Sequence, residues 1–232
     1  TSAGVSWAYG RGDGQKLRRE EMIDAVRRIV ATVTVPVTAD IEGGYGTGSA
    51  RDVEQTVRAV IASGAVGINL EDSPGHDGAA LLAPEEHAER IRAARAAAQA
   101  TDGDVVINAR IDVYLMQVGA QETRFDEAVR RAKMYRAAGA DCLFVPGVID
   151  GPTIAMLVRA IDGPLNVMAG PNAPTIAQLG ELGVARLSVG PRIAEAALAA
   201  TKAAALELLG PGTYRTLEHG LSFAEVNGMF QA

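Results

Sequence analysis

The sequence has few of the features that mark secreted, membrane-bound or nucleic-acid-binding proteins. It has one cysteine, Cys142, among 232 residues, so no internal disulfide can form and a reducing cytoplasm is expected. It has no run rich in Lys or Arg and a formal net charge of −6, which argues against nucleic acid or an anionic membrane as the main partner. Its apolar stretches, such as 93–98 and 193–209, are broken by charged or helix-spaced polar residues, and no signal peptide is visible. We therefore expect a cytoplasmic protein.

Hydrophobic residues make up 48% of the chain, which is enough to build a large core in one domain. Amphipathic helical patterns alternate with short β-branched runs at a spacing of about 30 residues, the size of one βα unit with its return strand. The predicted strands are 3–8, 35–40, 65–71, 104–111, 140–146, 164–169 and 185–190, and the predicted helices are 19–32, 49–63, 84–100, 125–138, 152–161, 173–182 and 193–209. Gly64, Gly139 and Gly183 each follow a helical pattern and are expected to end it in the left-handed conformation.

This alternation predicts an α/β fold, and we favour a (β/α)8 TIM-type barrel formed as one domain over residues 1–232. Only seven βα units are countable, whereas a closed barrel of this type has eight. The chain also opens at Thr1, without an initiating Met and close to the first predicted strand. We therefore expect that the first βα unit is missing from this chain. A doubly wound open sheet is the alternative, although its functional residues would gather beside one glycine-rich turn.

Acidic residues recur where predicted strands give way to helices. They lie in three clusters: Arg11-Gly12-Asp13-Gly14, Ala39-Asp40-Ile41-Glu42-Gly43-Gly44-Tyr45-Gly46 and Asn69-Leu70-Glu71-Asp72-Ser73. Because a parallel barrel keeps its chemistry at the carboxyl ends of its strands, these carboxylates are expected to converge at one rim. Oxygen ligands without nearby His or Cys favour a hard cation, so the clusters predict a magnesium site.

The second cluster is the most informative of the three. In an extended segment Asp40 and Glu42 would project to the same side, and the glycines at 43, 44 and 46 would let the backbone fold closely around a ligand. The alternative is that Asp40 caps the next helix and Glu42 is merely solvated. The further acids Glu71 and Asp13 favour the metal site over that alternative.

Arg110 supplies positive charge near the end of the strand Val105-Val106-Ile107-Asn108-Ala109-Arg110. A guanidinium at this position can bind a carboxylate or phosphonate through two parallel hydrogen bonds. The alternative is a structural ion pair with Asp112 or Glu71.

Taken together, the motifs resemble the isocitrate lyase/phosphoenolpyruvate mutase superfamily. The resemblance rests on Thr1-Ser2-Ala3-Gly4-Val5, Asp13-Gly14, the stretch 36–46, Gly67-Ile68-Asn69-Leu70-Glu71-Asp72 and Asn108-Ala109-Arg110, in this order along the chain. It implies a (β/α)8 barrel, a homo-oligomer (dimer or tetramer) that exchanges its last helix, and Mg²⁺ chemistry on α-keto or α-hydroxy carboxylates, with Mn²⁺ as a possible substitute.

The resemblance also implies roles for individual residues. Asp40 would bind the metal directly, and Asp13, Glu42 and Glu71 would hold its water ligands. Ser2, Ala3 and Gly4 would offer hydroxyl and backbone donors to the substrate's carboxylate, and Arg110 would contact the substrate's oxygens. An enolate-like pyruvate intermediate, stabilised by Mg²⁺, is shared by the superfamily.

The loop after the third cluster, residues 73–82, decides which reaction is expected. Isocitrate and methylisocitrate lyases of the superfamily carry Lys-Lys-Cys-Gly-His in this loop, whereas this chain has only Gly75-His76, and Cys142 lies in a different apolar strand. The loop also lacks the Lys of phosphoenolpyruvate mutase and phosphonopyruvate hydrolase. We therefore favour an oxaloacetate decarboxylase-like C–C cleavage, with C–P bond chemistry as the alternative.

Arg110, His76 and Glu71 are the predicted catalytic residues. His76 could transfer a proton near C3 of the substrate, and its alternative is a loop-stabilising or solvent-exposed side chain. Asn166 is a polar residue in an apolar strand, and it either lines the substrate pocket or makes a structural hydrogen bond.

Two other functions stay open at this stage. One is a catalytically idle protein that binds keto acids, and the other is an interaction scaffold that uses the Ala-rich segment 193–209. We expect the helices within about 193–232 to lie at an oligomer interface, with a homotetramer as the favoured assembly.

Overall fold

A computed structural model of the chain describes residues 1–74, 80–101 and 104–230. Six strands and nine α-helices lie in these ranges, and strands and α-helices alternate from β1 to α8. The strands are β1 (Thr38–Asp40), β2 (Gly67–Glu71), β3 (Val106–Arg110), β4 (Cys142–Val145), β5 (Leu165–Met168) and β6 (Arg186–Ser188). The helices are α1 (Ser2–Ala8), α2 (Arg19–Thr32), α3 (Ala50–Ala62), α4 (Pro84–Gln99), α5 (Arg124–Ala137), α6 (Gly151–Ala160), α7 (Ile176–Glu181), α8 (Arg192–Leu209) and α9 (Phe223–Gly228), with short 3₁₀ turns at Gln121–Thr123 and Arg215–Leu217.

The six strands form one parallel sheet in the order β1-β2-β3-β4-β5-β6. The sheet curls, and the Arg186 side chain at the start of β6 donates a hydrogen bond to Thr38 Oγ1 at the start of β1, over 3.1 Å. The α/β prediction is confirmed, and the curled parallel sheet is consistent with a TIM-like barrel. The described strands number six rather than seven, and a missing first βα unit stays a prediction.

The predicted strand at 3–8 is wrong, because these residues form helix α1. The Thr1 side chain accepts a hydrogen bond from the Gly4 N–H and caps the helix. The two buried residues of α1, Ala3 and Ser6, lie three positions apart, which is the spacing of a helix face rather than of a strand face. The other predicted strands and helices are confirmed, with shifts of a few residues at their ends.

The two faces of the sheet differ in polarity. Side chains alternate along each strand, and the pairs Asp40↔Asn69 and Asn69↔Asn108 put polar groups on the face that also carries Glu71 and Arg110. The opposite face is apolar, and it is buried from β1 to β5. It contributes Ala39, Ile68, Leu70, Ile107, Ala109, Leu143, Val145, Leu165 and Val167 to a core shared with Val53, Val57, Val60, Ile91 and Ala94 of α3 and α4. Each buried Val, Ile or Leu side chain stabilises the fold by about 1.5–3 kcal/mol before entropy is subtracted.

The glycines predicted to end helices do so. Gly64, Gly139 and Gly183 have φ of 91°, 111° and 91°, and each stands between a helix and the following strand. A residue with a Cβ would be strained in this conformation, so these three turns depend on glycine.

The chain divides into two compact units, Thr1–Gly190, which contains the sheet, and Pro191–Ala232. In the second unit, α8 and the turn Arg215–Leu217 are in contact. The assignment of residues 1–232 to a single barrel domain stays a prediction. In the described part of the chain, no helix combines the length and apolarity that crossing a membrane requires.

Candidate active site at the carboxyl end of the sheet

Three charged side chains stand on the last residues of three neighbouring strands. Asp40 ends β1, Glu71 ends β2 and Arg110 ends β3, and Glu71 is the register partner of Arg110. In a parallel sheet these strand ends meet at one edge. Asp40 and Glu71 therefore lie at one edge, as expected for strand-end carboxylates, with Arg110 beside Glu71, and their roles in a functional site stay predictions.

Asp40 is fixed by contacts with the chain before and after it. Both the N–H and the hydroxyl of Ser2 donate to Asp40 Oδ2, over 3.1 and 2.9 Å, and the Glu42 N–H donates to Oδ1 over 3.3 Å. Asp40 does not cap the next helix, because the Ser49 side chain accepts the N-cap hydrogen bond of α3 from the Asp52 N–H. The start of α1 is thus attached directly to the end of β1.

The donors that the resemblance assigns to substrate binding have partners within the protein. Both Ser2 donors contact Asp40, and the Gly4 N–H donates to Thr1 Oγ1. Ala3 is buried in α1. Substrate binding by Ser2, Ala3 and Gly4 stays a prediction.

Glu42 is buried rather than solvated, with 1% of its surface exposed. It does not lie in the expected extended segment, because β1 ends at Asp40 and Glu42 has φ of 50°. The Gln15 N–H donates to Glu42 Oε2 over 2.6 Å, and the Tyr45 hydroxyl approaches Oε1 at 3.4 Å. The pKa of Glu42 is raised to about 7, chiefly by burial and in part by the negative charges of Asp40 and Asp13, while the hydrogen bond from Gln15 opposes the shift.

Asp13 belongs to the same electrostatic group. It is half-buried, and its charge acts on both Glu42 and Tyr45. Burial, followed by the charges of Glu42 and Asp40, raises the pKa of Tyr45, so its phenol stays protonated and can donate. The charges of Asp13 and Asp40 thus both act on Glu42, and the roles of these three residues at a metal stay predictions.

Arg110 forms ion pairs with both Glu71 and Asp112. Arg110 NH1 lies 2.7 Å from Glu71 Oε2, while Nε and NH2 donate to the two Asp112 oxygens over 2.6 and 3.0 Å. The Ser73 hydroxyl donates to Glu71 Oε1 over 2.7 Å. Burial raises the pKa of Glu71 even though the Arg110 charge opposes it. The structural ion pairs considered for Arg110 are both present, and its contact with substrate stays a prediction.

A buried polar cluster around Asp72 lies next to the strand-end residues. Asp72, fully buried, accepts from Arg131 NH1 and from the Tyr135 hydroxyl, each over 2.8 Å, and its Oδ1 accepts from the Asp112 N–H over 2.9 Å. Burial raises the pKa of Asp72, and the nearby Asp112 charge adds to the shift. Helix α5 is thereby linked through Asp72 to Asp112, which binds Arg110.

The glycines of the second cluster are explained by packing as well as by backbone angles. Gly44 has φ of 101°, and a Cβ there would lie 2.4 Å from Val53 Cγ2 of α3. Gly46 has φ of 63°, and a Cβ would lie 2.6 Å from the Asp52 carboxylate. Helix α3 thus sits against this loop at a distance that only glycine permits.

Three further residues were singled out from the sequence: Asn166, Cys142 and His76. Asn166 is fully buried and exchanges hydrogen bonds with Ser188 of the next strand, over 3.1 and 3.2 Å. The structural alternative for Asn166 is therefore present. Cys142 is buried, as expected, and burial raises the pKa of its thiol. His76 lies outside the described residues.

Sequence reasoning missed Gln15 and the structural importance of Asp72. Nothing in the local pattern singles out Gln15, since its partners lie 27 and 30 positions away. Asp112 was considered only as one possible partner of Arg110. Its position two residues after Arg110 favours that pairing, because side chains at this spacing share one side of an extended segment.

The oxygen-rich cluster fits a magnesium ion that keeps several of its waters. Among the described residues, no three His, Cys, Asp or Glu side chains are close enough to bind one ion together directly. Mg²⁺ needs no such cage, because it binds proteins through one or two carboxylates and retains water. The carboxylates of Glu71, Asp112 and Asp40 act on the Arg110 guanidinium, and those of Asp40 and Asp13 act on Glu42. This excess of acid is the charge pattern that a divalent cation would balance.

Comparisons with known proteins identify the family of the chain. The family model described as phosphoenolpyruvate phosphomutase matches residues 1–209. An uncharacterized protein of Mycobacterium tuberculosis (strain ATCC 25618 / H37Rv) is 37% identical over 191 residues, which cover 82% of this chain and 67% of the relative. Oxaloacetate decarboxylase of Rhodopseudomonas palustris (strain BisB5) is 32% identical over 162 residues, covering 66% of this chain and 51% of that enzyme.

A solved structure extends the similarity to almost the whole chain. Phosphonopyruvate hydrolase in complex with oxalate and Mg²⁺ has a TM-score of 0.81 and 28% identity, covering 98% of this chain and 81% of that one. This chain spans about half the length of the oxaloacetate decarboxylase that it matches. Because the family model covers most of the chain, the chain belongs to the phosphoenolpyruvate phosphomutase family, within the isocitrate lyase/phosphoenolpyruvate mutase superfamily.

Proposed function

We propose that this protein is a Mg²⁺-dependent lyase that cleaves a C–C bond in a small α-keto or α-hydroxy carboxylate, with oxaloacetate as the favoured substrate. The observation that carries the proposal is the convergence of Asp40, Glu42 and Glu71 with Arg110 at one edge of the sheet. The similarity to oxaloacetate decarboxylase and to a relative crystallised with oxalate and Mg²⁺ supports it.

The proposed roles of the acids follow from their surroundings. Asp40 would hold the cation, since it ends β1 and is oriented by Ser2. Asp13, Glu42 and Glu71 would bind the cation's waters. When bound, Mg²⁺ would stabilise negative charge that develops on the substrate's keto oxygen, and Mn²⁺ is expected to substitute for it.

Arg110 would bind the substrate's carboxylate. Its contacts with Glu71 and Asp112 use three of the five N–H groups of the guanidinium, and we assign the remaining two to the ligand. Because Asp112 holds two of the nitrogens, the orientation of those remaining donors is fixed before substrate binds, which lowers the entropic cost of binding.

The reaction needs little further chemistry from the protein. In oxaloacetate the C3–C4 bond breaks, CO₂ leaves, and the electron pair passes into the enolate of pyruvate, which then takes a proton at C3. His76 is the proposed proton donor. A C–P reaction of the phosphonopyruvate type is the second candidate, because phosphonopyruvate hydrolase of Variovorax sp. (strain Pal2) is 33% identical over 193 residues.

A substrate panel tests this proposal. Oxaloacetate, phosphonopyruvate, methylisocitrate and dimethylmalate would each be incubated with the protein and Mg²⁺, with pyruvate release measured against an Asp40→Ala variant and a chelator. We expect pyruvate from oxaloacetate, lost in both controls. Turnover of phosphonopyruvate alone would favour the second candidate, and binding without turnover would favour an idle keto-acid binding protein.

We also propose that the protein is a homo-oligomer whose interface includes residues 193–232. Helices α8 and α9 contain no buried residues, and Leu209 and Phe223 are 87% and 84% exposed. Apolar side chains of this kind are stabilised when a second copy covers them. Sedimentation equilibrium should give a dimer or tetramer for the parent and a smaller species for Leu209→Glu, whereas a monomeric parent would contradict the proposal.

A further inference from the structure

Gln15, in the loop that carries Asp13, contacts the loop after β1 at two points. Its backbone N–H donates to Glu42 Oε2 over 2.6 Å, and its side-chain Oε1 accepts from the Tyr45 N–H over 2.9 Å. Its Nε2 lies 3.3 Å from the position that a Cβ on Gly43 would occupy. Gln15 therefore binds both ends of the segment 42–45 and lies beside Gly43.

The backbone is strained at both sides of this contact. Gln15, Glu42 and Tyr45 have φ of 54°, 50° and 63°, which places three residues with side chains in the left-handed region. Such a conformation is unfavourable for residues other than glycine, and it persists only where surrounding contacts hold it. Here the three strained residues are bonded to one another, so each contact helps to hold the others in place.

The position of this interlocked group gives it a consequence for the site. Gln15 follows Asp13 by two residues, and Glu42 follows Asp40 by two residues. The Glu42 N–H binds Asp40, and the Glu42 carbonyl accepts from the Glu71 N–H over 3.0 Å. A shift of Gln15 would therefore move Asp13 relative to the carboxylates at the ends of β1 and β2.

We infer that Gln15 is a positioning residue that sets the spacing between Asp13 and the carboxylates of the Asp40–Glu42 segment, and so the affinity of the edge for a divalent cation. The inference rests on the proposed function, since it assumes that these acids bind Mg²⁺. Gln15 acts through Glu42 and Tyr45 and needs no contact with the substrate.

The experiment compares Mg²⁺ binding and hydrogen exchange in matched variants. Gln15→Ala removes the acceptor for the Tyr45 N–H. Gln15→Asn keeps an amide and suits the left-handed backbone, because Asn tolerates that region, but its side chain is one methylene shorter. Gln117→Ala is the control, because Gln117 is exposed and has nearly the same φ, 53°.

By calorimetry, we expect Gln15→Ala and Gln15→Asn to bind Mg²⁺ about tenfold more weakly than the parent, which corresponds to about 1.4 kcal/mol of binding free energy. The Tyr45 amide should exchange faster in both variants, and Gln117→Ala should match the parent in both measurements. Thermal unfolding would verify that the variants fold. The Asn variant separates positioning from strain, because relief of strain alone would leave its Mg²⁺ affinity at the parent value.

The outcomes separate this inference from the proposed function. If the parent fails to bind Mg²⁺, the proposed function is wrong and the inference falls with it. If the parent and both folded Gln15 variants bind Mg²⁺ equally well, or if Gln117→Ala loses as much affinity, only the inference is overturned.

Discussion

The raised pKa of Glu42 predicts how the stability of the metal-free protein depends on pH. The folded-state pKa of about 7 compares with an ordinary value of 4.5. Between these values the folded protein keeps a proton that the unfolded chain releases, so the free energy of unfolding falls as pH rises. The contribution is complete below pH 4.5 and has been lost once pH has risen through about 7.

The size of this effect follows from the shift. Each pKa unit corresponds to 1.36 kcal/mol, so a shift of about 2.5 units corresponds to about 3 kcal/mol. Glu42→Gln keeps the shape of the side chain and an acceptor for Gln15 while removing the ionisation. The variant should gain about 3 kcal/mol relative to the parent between pH 4.5 and 8. Burial also raises the pKa values of Glu71 and Asp72, so only this difference reports on Glu42.

Urea unfolding at a series of pH values, with chelator present, would measure the difference. Glu54→Gln on the exposed surface of α3 controls for the loss of one negative charge. If the curves of the parent and Glu42→Gln run parallel from pH 4.5 to 8, the assignment of a raised pKa to Glu42 is refuted.

Three further predictions concern the fold around the site. Arg131→Met should lower the free energy of unfolding by about 3–5 kcal/mol, because it leaves the buried Asp72 carboxylate without its ion-pair partner. Arg130→Met removes an exposed ion pair and should lower it by under about 1 kcal/mol. Denaturant titration would measure both variants, and equal losses would contradict the account. Gly44→Ala should destabilise the protein by more than about 2 kcal/mol, since the new Cβ would overlap the Val53 side chain. Gly10→Ala should cost only about 1 kcal/mol, because Gly10 has φ of 70° but open space around it. Similar Tm values for the two variants would contradict this prediction. Cys142 should react with a thiol reagent only after unfolding, and rapid labelling of the native protein would contradict its burial.

The sequence predicted most of the fold because the structural signals are local. Six strand predictions and the seven helix predictions correspond to observed elements, and the glycines that end helices are recognised from their neighbours alone. Residues 3–8 were predicted wrongly because Ala, Val and Trp in a short run fit either a strand or a helix. The helix is stabilised by the Thr1 cap and by the hydrogen bond from Ser2 to Asp40. The bond to Asp40 spans 38 positions, so the local sequence does not indicate it.

The acidic cluster was predictable because strand ends converge in any parallel sheet. The path of the backbone through Glu42 was not, because the left-handed residues Glu42 and Tyr45 are held by contacts from another loop. For the same reason Gln15 carries no signal in its own neighbourhood. The contacts of Arg110 were anticipated only as alternatives, since sequence spacing permits pairing with Glu71 or Asp112 and the structure contains both.

Oxalate binding would test the central claim most directly, because oxalate resembles the enolate of pyruvate and requires no knowledge of the leaving group. Calorimetric titration of the protein with oxalate, with and without Mg²⁺, would be compared with the same titrations of Asp40→Ala. We predict that oxalate binds the parent only when Mg²⁺ is present and does not bind the variant under either condition. Oxalate binding that is equally tight without Mg²⁺, or that survives in Asp40→Ala, would contradict a metal-dependent keto-acid site at this edge of the sheet.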